Sequence, residues 1–244
     1  MSVEAPDSLL IERDFEPLRE RTLKALRQAI LSNRLTPGQR LVERDLCQQT
    51  GVSRSSIREA LRYLESEGLI ESRGPKGMFV TVLSKQKALE IYEVRAALEA
   101  EAARHFAERA NDTELGVLSV IYERVCEAAS NDLDAHGREI DAFFEALFLG
   151  ARNVTAHGLI RSLRARINLL RNTTIRIASK ERLTMRLAQM KKIVDALEAR
   201  NGEAAAEACR NFVATSAQFA AAHLRDEPDL ERAQEAVLVK VAPV

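Results

Sequence analysis

Tryptophan is absent from this sequence, and glycine (10) and proline (6) are sparse over 244 residues. Few breakers and long Ala/Leu/Glu/Arg stretches make the chain mostly helical. Apolar residues reach 46%, which supplies a core and excludes wholesale disorder. Only three cysteines occur, Cys47, Cys126 and Cys209, far apart and without CxxC spacing. Such an odd, scattered set fits reduced, buried thiols in a cytoplasm. No apolar run approaches the ~20 residues needed to span a bilayer. The opening "MSVEAPDSLLIERDFEP" carries acids where a secretion signal is basic, and it has no apolar centre. Net charge is zero. A bulk pull toward nucleic acid or anionic lipid is thereby excluded, and any polyanion must be held by a local patch. The expectation is a soluble cytoplasmic protein of one large or two ordinary domains.

Residues 1–16 read as a loose arm. A helix is expected from Pro17, with Leu23, Leu26 and Ile30 on its buried side. "LTPGQRL" breaks it at Pro37 and Gly38. A short helix follows from Glu43 to Gln49 and ends in "TGVS", where Gly51 permits a tight helix–helix turn. Ser53 is placed to cap the next helix, which runs to about Glu67 and stops at Gly68. "LIES" and "MFVTV" flank "RGPKG" as a hairpin with a basic, flexible tip. From Ser84 the pattern becomes helical throughout. Segments at 84–111, 112–130, 133–149, 155–179, 183–200 and 202–225 have short connections and predict an antiparallel bundle. The domains are therefore 17–83 and 84–225, with a tail over 226–244.

The helix after Gly51 carries the clearest chemistry. At about 100° per residue, Arg58, Arg62 and Ser55 fall about 40°, 80° and 100° from Arg54. Ile57, Ala60, Leu61 and Leu64 occupy the opposite arc. A basic helix face is ordinarily just a solvated face, and here Glu59, Glu65 and Glu67 offer partners. Yet a short helix, a glycine turn, a capped basic helix and a Gly/Pro-tipped hairpin follow in order. A winged helix-turn-helix needs that order, with the second helix in the major groove. Arginine there can grip a guanine edge in two places.

"LTPGQRLVERDLCQQTGVSRSSIREALRYLESEGLIESRGPKGMFV" resembles the N-terminal winged helix of the GntR family of bacterial regulators. The resemblance implies binding to double-stranded operator DNA through Arg44, Ser53, Arg54, Ser55, Ser56 and Arg58, with Arg73 and Gly74 at the wing tip. Many relatives have Thr-Pro where this chain has Ser55-Ser56. The remainder, through "YEVRAALEAEAARHFAERA", "IDAFFEALFLGARN" and "QMKKIVDALEARNGEAAAEACRNFV", resembles the FadR-type FCD effector domain. That implies a bundle of six or seven helices, a homodimer, a small effector (commonly a carboxylate) and, most often, repression.

Many members of that group bind a divalent metal through an Asp and three His. The matching positions here are Asp141, Glu145, Met190 and Phe212. Thioether and phenyl groups do not serve a hard cation, and one or two carboxylates make a poor cage. No metal and no other cofactor is expected. The same exchange makes the pocket more apolar, so the expected effector is a carboxylate with an apolar part. Arg164 and Arg171 share a face with Ile160 and Ile167, and point inward to grip it or else pair across helices. Arg95 is a further candidate, with a structural pair to Glu99 as its alternative. No phosphate loop, GxSxG or HExxH motif occurs, and an enzyme is not expected.

Overall fold

The apolar spacing of the first segment forms α1 (Leu18–Leu31), which buries Leu26 and Ile30 as expected. Thr22, not Leu23, takes the third inward position, because its hydroxyl donates to the Leu18 carbonyl at 2.6 Å and so leaves no unpaired polar atom. This computed structural model describes residues 18–226. The expected arm and the tail beyond Asp226 lie outside the described residues.

α2 (Glu43–Thr50) ends at Gly51, whose φ of +70° lets its N–H donate to the Cys47 carbonyl. α3 (Arg54–Ser66) begins at Ser53, whose hydroxyl accepts from the Ser56 N–H. Ile57, Ala60, Leu61 and Leu64 are buried against Leu26, Ile30 and Leu46. The expected hairpin forms, but with a third strand. β1 (Arg40–Leu41) lies within the segment read only as a break. β2 (Ile70–Ser72) and β3 (Met78–Val80) complete an antiparallel sheet of order β1-β3-β2. Arg40 pairs with Phe79, and Glu71 pairs with Phe79 from the other side. A two-residue strand has no readable alternation, which explains why the sequence hides it.

Ser84 caps α4 (Lys85–Arg109), accepting from the Lys87 N–H. It is followed by α5 (Asp112–Asn131), α6 (Leu133–Ala151), α7 (Val154–Ile175), α8 (Lys180–Glu198) and α9 (Gly202–His223). The six expected bundle helices are all present. The largest boundary shift lies between α7 and α8: α7 stops at Ile175, and Ser179 caps α8 by accepting from the Arg182 N–H. α4 is central, packing along α9 and α6, while α5 lies on α6 and α8 on α9. None of the described helices is long and apolar enough to cross a membrane.

Gly150 marks the tightest crossing. A Cβ there would lie 2.4 Å from the ring of Phe106, which is fully buried. Alanine gains about 1 kcal/mol of helix propensity, but displacing the ring costs about 1–3 kcal/mol. We expect Gly150→Ala to lower the urea midpoint; an unchanged or higher midpoint would mean that α4 and α6 separate freely.

Candidate nucleic-acid interface and effector cavity

α3 presents two opposed arcs. Arg54, at its first position, is exposed and has no internal partner among the described residues. Ser55 and Ser56 sit within hydrogen-bond reach of the Ser53 hydroxyl, at 2.9 and 3.1 Å. Arg58 donates from Nε to both Glu43 oxygens, at 2.9 and 2.8 Å, which holds the guanidinium over the α2–α3 seam. The Glu43 carboxylate raises the Arg58 pKa, first by that hydrogen bond and then by its charge. Arg44 is highly exposed and rests on Asp45 at 3.2 Å. Arg54, Arg58 and Arg44 thus lie on the α2–α3 unit as the sequence predicts. Arg62 is exposed farther along α3.

The wing differs from the expected flexible tip. Gly74–Lys76 forms a 3-10 turn. Arg73 does not reach outward: its Nε donates to Glu71 at 2.8 Å, and its guanidinium lies 4.5 Å from the centre of the Phe79 ring. A cation on an aromatic face is favourable, so Arg73 braces the sheet while Gly74 and Lys76 form the exposed tip. Sequence reasoning missed Arg40. Its guanidinium nitrogens lie 3.6–3.7 Å from where a Cβ on Gly77 would stand, bringing an exposed cation to the wing.

The bundle holds a partly open cavity of about 20 Å³, lined by Arg95, Glu99, Asp141, Phe144, Phe148, Ile160, Arg164, Ile167 and Arg171. That is room for about one water. Each cavity arginine already holds a carboxylate. Arg95 donates to Glu99 at 2.6 Å, with both side chains almost fully buried. Arg171 donates to Asp141 at 2.6 Å, to Asn168 at 2.5 Å and to the Gly137 carbonyl at 2.8 Å. Arg164 donates to Glu145, which also pairs with His157 at 2.9 Å. Burial pushes the Glu99 carboxyl upward against the pull of Arg95. Its second oxygen has no hydrogen-bond partner among the described residues.

Four of the seven bundle residues expected at an effector site therefore line one cavity: Arg95, Asp141, Arg164 and Arg171. Glu145, Met190 and Phe212 do not line it. Met190 and Phe212 are buried, and Phe212 packs against Phe144 with ring centres 5.8 Å apart. Glu99, Phe144 and Phe148 were not singled out from the sequence; Glu99 lies one turn after Arg95 and appeared there only as its ion-pair partner. These residues do not fit a divalent metal. Asp141 and Glu145 are engaged by guanidinium groups, Met190 and Phe212 are poor donors, and three arginines surround the space. Among the described residues no three His, Cys, Asp or Glu side chains cluster as a metal set.

Residues 18–80 match the family described as bacterial regulatory proteins of the gntR family, and residues 90–215 match the FCD domain. The Nta operon transcriptional regulator of Aminobacter aminovorans is 41% identical over 88 residues, 36% of this chain and 42% of the relative. The matched stretch thus spans under half of that protein's length. An HTH-type transcriptional regulator from the TAR-I ttuE-ttuC' intergenic region of Agrobacterium vitis is 32% identical over 127 residues, 50% of this chain and 74% of the relative. A structure described as a GntR transcriptional regulator from Rhodococcus sp. RHA1 superposes with a TM-score of 0.72 at 24% identity. It covers 85% of this chain and 99% of that one, and it supports the fold. With a winged helix matched over its whole length and a bundle matched from α4 into α9, the chain belongs to the GntR family, in the group whose second domain is an FCD domain.

Proposed function

We propose that the protein is a cytoplasmic, homodimeric transcriptional repressor that binds a palindromic operator and releases it when a small carboxylate with an apolar part enters the bundle. Two α3 helices would occupy successive major-groove half-sites. Exposed apolar side chains on α5 (Val117, Val120) and around the α6–α7 turn (Leu149, Val154, Leu159) suit a second copy. The family is one of regulators rather than enzymes, and the cavity holds no nucleophile–base pair.

One observation carries the ligand response: α7 touches both the cavity and the DNA-binding domain. Arg164 and Arg171 line the cavity. The next residue, Asn172, donates to the Leu31 carbonyl at 3.1 Å. Leu31 ends α1, where carbonyls have no helical partner. Arg166 lies over Gly68, where a Cβ would approach its Cδ to 2.9 Å. A ligand seated in this cavity beside Arg164 and Arg171 would shift α7 and disturb this contact. The effect is limited to the difference in ligand affinity between the two arrangements.

Asn172→Ala tests this link. With a carboxylate that raises the melting temperature, wild-type operator affinity is expected to change about 5- to 150-fold. In Asn172→Ala that change shrinks while ligand affinity, read by calorimetry, stays the same. Full retention of the operator response would remove α7 from the pathway.

A further inference from the structure

The interior of the bundle holds more guanidinium than carboxylate. Arg95, Arg171 and Arg164 are matched by Glu99, Asp141 and Glu145. Arg186, on α8, is only 6% exposed and has no carboxylate partner among the described residues. Its Nε is buried without a hydrogen-bond partner. Its guanidinium lies 5.2 Å from the centre of the Phe212 ring. Arg95, in the cavity wall, lies 5.8 Å from the same ring. Phe212 is thus shared by the paired and the unpaired arginine. Burial, with the like charges of Arg95, Arg171 and Arg182, pushes the Arg186 pKa down to about 10.

A second polar group in this region is also unsatisfied. His136, on α6, is 1% exposed, and its Nδ1 donates to the Val125 carbonyl at 2.9 Å. Nε2 is then an acceptor, and it has no hydrogen-bond partner among the described residues. Burial, and to a lesser degree the charges of Arg186 and Arg171, hold this ring below the usual histidine range, so it stays neutral and supplies no counter-charge. Buried polar groups are ordinarily paired, and an isolated buried cation is costly. A ring face compensates only part of that cost.

We infer that Arg186 is the anchor for the carboxylate of a monoanionic effector, with Arg95, Arg164 and Arg171 serving mainly as partners of the built-in carboxylates. Of the three buried arginines among the described residues, Arg95, Arg171 and Arg186, only Arg186 lacks a carboxylate, and one such cation fits one negative charge. Phe212 supplies the apolar surface beside it and packs in turn on Phe144 of the cavity wall. This rests on the reading of the bundle as an effector domain.

The test uses the full chain, with benzoate and hexanoate as probes and benzamide and hexanamide as neutral isosteres. Thermal melting and calorimetry are read for wild type, Arg186→Met, Arg186→Lys and Arg164→Met. Wild type is expected to be stabilised by a carboxylate and not by its amide. Arg186→Met is expected to weaken carboxylate binding about tenfold or more, and Arg186→Lys to retain part of it. Without ligand, Arg186→Met is expected to melt no lower than wild type, because the cation it removes has no carboxylate partner among the described residues and a thioether also packs on the Phe212 ring. A clear fall in that ligand-free melting temperature would reveal a structural role and overturn the assignment. A carboxylate response that survives Arg186→Met but is lost in Arg164→Met would overturn Arg186 alone and leave the effector cavity standing. No response of wild type to any of the carboxylates would sink both.

Discussion

Arg171→Ala is expected to destabilise the protein by about 3 kcal/mol, near the low end of the cost of breaking a buried pair from one side. The side chain is 5% exposed and serves three acceptors on two helices: Asp141, Asn168 and the Gly137 carbonyl. Its removal leaves a carboxylate and two neutral acceptors facing a void. The low end applies because the Asp141 side chain retains 29% exposure, so water can take over part of its solvation. Urea denaturation at neutral pH measures the loss. A change below about 1 kcal/mol would place Arg171 among ordinary surface pairs. The double change Arg171→Met with Asp141→Leu should recover much of the loss, since an apolar pair of similar volume avoids stranding a charge.

Arg54→Ala is expected to weaken operator binding by about 1–3 kcal/mol, if the guanidinium reads a guanine edge. Arg54 stands at the first position of α3, exposed and without an internal partner among the described residues, so it gives up no contact with them on meeting DNA. Arg58 must exchange Glu43 for DNA, and its net contribution should be smaller. Arg62→Ala is the control, since that residue lies two turns farther along α3. Fluorescence anisotropy on operator and scrambled duplexes separates the cases. A loss confined to the operator marks base reading. An equal loss on both duplexes marks a phosphate contact. An unchanged affinity would contradict the groove assignment.

Much of this architecture was legible in the sequence because its signals are local. Gly51, Ser53 and Gly68 fix the turn, cap and stop of the winged helix within a few residues of chain. The bundle helices announce themselves by period and by breaks such as "RNGE". What the sequence hid depends on distant partners. β1 is two residues long and exists only because β3 lies beside it. Arg73 looked like a tip cation, and only the placement of Phe79 and Glu71 draws it back. Arg164 and Arg171 could be read from the sequence as gripping a ligand or as pairing across helices, and their pairing with Glu145 and Asp141 comes from the packing of α6 on α7. Arg186 was passed over because α8 carries many cations and its sequence does not mark which one is buried. One signal existed: Arg186 lies four residues before the buried Met190, on the same face of α8.

The central claim is that α3 and the wing form a sequence-reading DNA surface. Its most direct test is anisotropy of the full chain on the intergenic DNA beside its own gene, against a scrambled duplex, over a range of salt. Tight binding to a two-fold symmetric site with half-sites about one helical turn apart is expected, with a log-linear fall of affinity with salt. Equal affinity for both duplexes at every salt concentration, with and without a stabilising carboxylate, would contradict it.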